Sequence, residues 1–355
     1  MTNGVSPDTR FLELGEAFFL EGGGTLPDVR VAYRTWGEPS RTAVLVCHAL
    51  TGSADADHWW GGLFGSGRVL DPAESYIVAV NVLGGVYGTT GPTDRPQPGQ
   101  PSYGPDFPAV TIRDMVRLQA HLLDRLGVES LDLAIGGSMG GMQVLEWARL
   151  YPDRVDAIVP IGVAARQTAW AIGLSEAQRT AITSDQRYRG GRYQPGLAPD
   201  AGLGTARMIA MLSYRSPGEF DTRFGRDASG DLFAAQSYLR HQARKLVERF
   251  DANTYLTLLG AMDSHDVTPS LESMETPALV VGIASDGLYP LEEVADLAAH
   301  LPRGHLGVLN AAQGHDAFLI ETGRLNRLVT GFRRRLATGW EPGLMESTAR
   351  GAAWA

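Results

Sequence analysis

Short apolar runs and amphipathic stretches alternate along the first half of the chain. VRVAYRTW, TAVLVCHAL and SYIVAVNVL are short β-branched runs bounded by Gly, Pro, Asp or Ser, and they read as strands. VTIRDMVRLQAHLLDRLG has helical spacing instead, with Ile112, Met115, Leu122, Leu123 and Leu126 near one face and Gln119 as its polar exception. Thr111 with Asp114 makes a capping box for that helix, and Gly127 supplies its stop. LDLAIGG is again a strand, GMQVLEWARLYP a helix ended before Pro152, and VDAIVPIGV a further strand. Strand and helix in alternation predict a mostly parallel central sheet with helices on both faces, an α/β architecture.

The texture changes after about Ala165. Strand patterns give way to helical ones in TAWAIGLSEAQRTAI, GLGTARMIAMLSYR and FAAQSYLRHQARKLVERFDANTYLTLLGAM. Strands return with PALVVGIAS and HLGVLNA, followed by the helical RLNRLVTGFRRRLA, whose arginines read as a solvated face. The economical division is one α/β core (1–164 and 269–337) interrupted by a helical lid (165–268), with a loose tail from 338 to 355.

Composition narrows the classes. With 355 residues, 44% apolar and 20% charged, the chain is an ordinary globular protein. A formal net charge of -9 argues against a nucleic-acid or anionic-membrane partner. The single cysteine, Cys47, lies inside an apolar strand and reads as an inert buried thiol. The opening MTNGVSPDTR has no signal-peptide pattern, and no apolar run approaches the roughly 18 residues of a membrane span, so a cytoplasmic protein is expected. Asp263, His265 and Asp266 sit together at a helix end and are read as capping groups rather than metal ligands.

Candidate chemistry centres on Gly136-Gly137-Ser138-Met139-Gly140, a G-x-S-x-G pattern between a strand and a helix. Such a corner holds a serine in a strained turn with its hydroxyl at the carboxyl edge of the sheet. A serine hydroxyl needs a base, and the base needs an orienting acid, in the chain order Ser, Asp or Glu, His. His315 in NAAQGHDAFL follows the last strand, and Asp286 in VVGIASDGLYP follows the one before it. The predicted triad is therefore Ser138, Asp286 and His315. The backbone N–H of Met139, just after the serine, and that of Leu50, in the CHALTG loop after an earlier strand, are the predicted oxyanion donors.

CHALTG followed by HWW, NVLGG with GTTGP, FPAVTIRDMV, GGSMGGMQVLEWA, ARMIAMLSYRS, SDGLYP and GHDAFLIE together resemble the homoserine O-acetyltransferases, relatives of the α/β-hydrolases. The blocks run in order from about residue 30 to residue 335. The resemblance implies an α/β-hydrolase fold and transfer of an acetyl group from acetyl-CoA to the hydroxyl of L-homoserine, in methionine biosynthesis. It also implies a ping-pong course through an acyl-serine, no metal or redox cofactor, and a homodimer built through the helical lid. It places the triad on the same three residues and substrate contacts on Arg207, Tyr214 and Asp316. A guanidinium suits an amino-acid carboxylate and a carboxylate suits its ammonium. Arg207 and Tyr214 are two helical turns apart and share a face. The chain departs from the family pattern at Val86 and Tyr87, where many relatives carry a cysteine, and at Thr93 and Asp94, where paired serines are frequent. These changes leave acetyl against succinyl donor open, and a serine esterase using water is the alternative on the same machinery.

Overall fold

The computed structural model describes residues 5–194 and 196–340. Eight strands form one sheet: β1 (Arg10–Glu13), β2 (Arg30–Trp36), β3 (Thr42–Cys47), β4 (Tyr76–Val80), β5 (Ser130–Gly137), β6 (Ile158–Ile161), β7 (Ala278–Ile283) and β8 (Gly304–Leu309). Their order across the sheet is β1-β2-β4-β3-β5-β6-β7-β8. β1 pairs antiparallel with β2, and β2 with β4; every later pairing is parallel. The seven strands legible in the sequence are present. β1 is the additional one, a mostly exposed edge strand reading RFLE, with too little burial to leave an apolar pattern.

Residues of one strand serve opposite sides of the sheet. Ala43, Leu45 and Cys47 of β3 enter one apolar cluster while Val44 and Val46 enter the other, and β4 divides in the same way. Both faces are covered, which is why these strands read as continuous apolar runs. Cys47 is wholly buried there, and burial pushes its thiol up, as expected of an inert side chain.

Helix α1 (Ile112–Arg125) begins with the capping box: Thr111 Oγ1 accepts from the Asp114 N–H and Asp114 Oδ2 from the Thr111 N–H. Helix α2 (Met139–Leu150) follows β5 directly, and ten of its twelve residues are buried. Both pack on the cluster that also receives α8 (Leu291–His300), and α9 (Thr322–Ala337) covers the other face through Leu325, Val329 and Phe332.

The intervening segment holds α3 (Ala169–Thr183), α4 (Asp200–Tyr214), α5 (Pro217–Phe224), α6 (Ala234–Val247) and α7 (Ala252–Asp263). The last helical stretch seen in the sequence is two helices here, because Asp251 turns out of the helix and caps α7 by accepting from the Thr254 N–H. The chain enters and leaves this insertion side by side: Gln167 donates to His265 O at 3.0 Å and Val267 to Ala165 O at 2.9 Å. Asp263, His265 and Asp266 diverge: Asp263 meets Arg179 at 2.6 Å, Asp266 accepts from the Thr268 N–H, and His265 Nδ1 lies 3.6 Å from Glu146. The expected loose tail lies mostly outside the described residues; Thr338 to Trp340 close α9, with Trp340 against Phe332 and His305. No described helix is long and apolar enough to cross a membrane.

Candidate active site

Ser138 stands at the corner between β5 and α2 with φ 57° and ψ −125°, a conformation that costs an L-residue energy. Its own N–H is held by Ile161 O at 2.9 Å, so the corner is pinned to the end of β6. Flanking glycines allow the close crossing. A Cβ on Gly140 would sit 2.2 Å from Cys47 O, and one on Gly136 would sit 2.6 Å from the Gly140 backbone. Strand β3, strand β5 and helix α2 therefore meet here with no room for side chains.

Asp286 lies in the loop after β7. Its Oδ1 accepts the N–H groups of Leu288 and Tyr289 at 2.8 and 3.0 Å, and its Oδ2 meets Nδ1 of His315 at 2.7 Å. A carboxylate so held accepts a hydrogen bond from Nδ1–H and keeps the proton on that nitrogen, leaving Nε2 as the basic one. That Nε2 is buried and has no hydrogen-bond partner among the described residues. The imidazole is packed by Tyr214, Tyr289 and Phe318, with ring centroids 5.8, 5.5 and 5.6 Å away. The Phe318 ring occupies the space a side chain on Gly137 would fill, at 2.5 Å, and a Cβ on Gly162 would lie 3.2 Å from His315 Cε1. These contacts bring the ends of β5 and β6 and the imidazole to one place at the sheet edge. No hydrogen bond joins His315 to the Ser138 hydroxyl in this structure, a looseness usual before substrate binds. Burial pulls the imidazole down, but the charge and hydrogen bond of Asp286, with Asp316 behind, outweigh it and hold His315 above its ordinary 6.5.

The Met139 N–H opens α2, in the first turn where backbone donors lack intrahelical acceptors. Leu50 follows the end of β3 and is buried beside it. Two residues before Leu50, His48 is fixed as a neutral ring: Nδ1 donates to Ala49 O at 2.8 Å, Nε2 accepts from the Val82 N–H at 3.2 Å, and burial pushes its pKa down to about 4.

Arg207 on α4 lies with its guanidinium carbon 5.6 Å from the centre of the Tyr214 ring, the same ring that packs on His315. Its Nε and Nη1 are buried without hydrogen-bond partners among the described residues. Asp316 does not pair with Arg207; its Oδ2 is 3.1 Å from Nε of Arg215, a residue sequence reasoning passed over. Burial raises the Asp316 carboxyl above the usual range against the opposing pull of Arg215. Tyr289 was also missed. Its hydroxyl donates to Gln167 Oε1 at 2.7 Å, which ties the acid loop to the entry of the insertion. Val86, Thr93 and Asp94 line a cavity of about 760 Å³ that none of the triad residues lines.

Residues 42–322 match the family described as alpha/beta hydrolase fold. A homoserine O-acetyltransferase of Trichormus variabilis is 54% identical over 345 residues, 94% of this chain and 96% of that one. Among solved structures, esterase E22 superposes with a TM-score of 0.84 at 27% identity over 92% of this chain and 99% of its own. The homoserine O-acetyltransferase from Bacillus anthracis does so with 0.84 at 21% identity, over 93% and 99%, a likeness of fold alone. Fold and strained serine corner together define an α/β hydrolase. Within that class, the chain belongs to the homoserine O-acetyltransferase family.

Proposed function

We propose that this protein moves an acetyl group from acetyl-CoA to the hydroxyl of L-homoserine, through an acyl-enzyme on Ser138. The observation that carries the reading is Arg207. A half-buried arginine whose Nε and Nη1 are buried and unpaired, beside Tyr214 and His315, is costly unless the substrate brings an anion. An amino-acid acceptor brings its carboxylate; water, the acceptor of an esterase, does not. The names of the relatives point the same way.

In the first half-reaction His315 Nε2 takes the proton of Ser138 as Oγ attacks the thioester carbonyl. The N–H groups of Leu50 and Met139 hold the oxyanion, the C–S bond breaks, and the proton passes from His315 to the leaving sulfur. Homoserine then enters with its carboxylate on Arg207 and its ammonium toward the free oxygen of Asp316. Its hydroxyl loses a proton to His315, attacks the acyl-serine carbonyl, and the ester to Ser138 breaks with the proton returned to Oγ. Acetyl- or succinyl-CoA offered with homoserine, serine or water, with products weighed, tests this reading. Acetylhomoserine should dominate; rapid release of acetate with no acylated amino acid overturns it.

Arg207→Leu is expected to raise the KM for homoserine roughly 100-fold, since it removes a charged partner from a desolvated site. Acetylation of Ser138 by a simple ester should change less than threefold. Equal losses in both half-reactions would remove Arg207 from the acceptor site.

Pairing of two copies through the insertion is supported by Trp170 and Ile172 on α3, Leu212 on α4 and Phe233 just before α6, large apolar side chains 60%, 41%, 54% and 44% exposed. Sedimentation should give twice the 38.1 kDa chain mass, and Trp170→Asp with Leu212→Glu should give the single chain. A wild-type monomer at working concentration overturns the pairing.

A further inference from the structure

Three polar side chains and two backbone carbonyls form a chain of hydrogen bonds through the apolar layer between α1 and α2. The Trp147 Nε1–H donates to Gln119 Oε1 at 2.7 Å, and Gln119 Nε2 donates to Gln143 Oε1 at 2.7 Å. Gln143 Nε2 donates to His48 O at 3.1 Å and to Met139 O at 3.2 Å. Trp147 and Gln143 are fully buried and Gln119 is 2% exposed.

The direction of this chain is not arbitrary. An indole nitrogen can only donate, so the oxygen of Gln119 must face Trp147 and its NH2 must face Gln143. The oxygen of Gln143 then faces Gln119, and both of its N–H bonds are left for the two carbonyls. One residue thereby ties the loop after β3 to the first turn of α2. These are the two backbone segments whose Leu50 and Met139 N–H groups are assigned to the oxyanion. The segments already touch at the Gly140–Cys47 crossing, and the amide sets how they are turned toward each other.

We infer that Gln143 is a positioning residue for the oxyanion hole, holding the two donor segments in one geometry through a hydrogen-bond chain whose polarity Trp147 dictates. The inference rests on the acyl-serine reading above. Where a buried donor pair must meet a charge that exists only in the transition state, a tie between its two halves affects acylation and leaves ground-state binding alone.

The test uses the full chain and three measurements: the acetylation rate of Ser138 by p-nitrophenyl acetate, the affinity for a trifluoromethyl ketone that forms a tetrahedral adduct, and half-saturation by homoserine. Gln143→Met, similar in length but without donors, is expected to slow acetylation about 10- to 100-fold and to weaken the ketone by the same factor. Homoserine half-saturation should stay within about twofold, because Arg207 is untouched. Trp147→Phe keeps Gln143 but frees its orientation, and should give a loss of a few-fold in the same two quantities. A folded Gln143→Met with unchanged ketone affinity overturns the inference, as does a parallel loss of ketone and homoserine binding. If Gln143→Met does not fold, Trp147→Phe decides, and an unchanged acetylation rate there overturns it. A wild type that never acetylates at Ser138 sinks the acyl-serine reading itself, whereas equal acetylation of wild type and Gln143→Met sinks only the positioning role.

Discussion

Replacing Ser138 by alanine is expected to lower acyl transfer by roughly 10⁴- to 10⁶-fold, with no acetyl mass added to the protein on incubation with the donor. The loss is this large because no neighbouring side chain can take over. Cys47, the one thiol, is wholly buried with its pKa pushed up, and His315 meets no other buried hydroxyl through Nε2. Donor and acceptor binding should survive, since Arg207 and the backbone donors remain. A second substitution separates chemistry from architecture. At φ 57° a glycine carries no Cβ penalty, so Ser138→Gly should be as inactive as Ser138→Ala yet more stable by about 1 kcal/mol, visible as a rise of about 2 °C in the thermal midpoint. A stable protein that has exchanged strain for inactivity is what a corner shaped for reactivity predicts. Retained acylation in Ser138→Ala, or a Ser138→Gly less stable than wild type, would contradict it.

Much of this was legible because burial leaves a periodic trace. Strands covered on both faces appear as unbroken apolar runs, and α1 and α2 appear through their spacing and caps. The edge strand at Arg10–Glu13 left none, being mostly exposed. The contact of Asp286 with His315 could be anticipated from order and position, since Ser138, Asp286 and His315 each follow a strand whose pattern is plain. What could not be read were partnerships fixed only in three dimensions. Gln119 looked like a flaw in an apolar face; in the structure it is a link between Trp147 and Gln143, 28 and 24 residues away. Arg215 lies beside Tyr214 in the sequence and looks like any surface arginine, yet it is the one that meets Asp316. Both cases are polar groups made acceptable inside the fold by partners that spacing along the chain does not reveal.

Substituting Asp286 by asparagine is expected to lower the acylation rate roughly 10⁴-fold, and to move its pH dependence in a direction a merely structural change would not. The base must be neutral to accept the serine proton, so the rate in wild type rises with pH through the pKa of His315. That inflection should lie above 6.5, because the nearby carboxylates outweigh burial. The raised pKa also means that the Asp286–His315 pair contributes stability below about pH 6.5 that fades as pH climbs through the folded-state value. In Asp286→Asn the charge and its strong acceptor are lost, while burial of the ring continues to oppose the imidazolium. The inflection should therefore fall below 6.5 even as the rate collapses. The rate falls because asparagine can present an N–H to Nδ1 and draw the proton onto Nε2, the nitrogen that must act as base. An acylation profile in Asp286→Asn with its inflection unmoved would mean that His315 is held by something other than Asp286, and with that the 2.7 Å contact would lose its place in the mechanism.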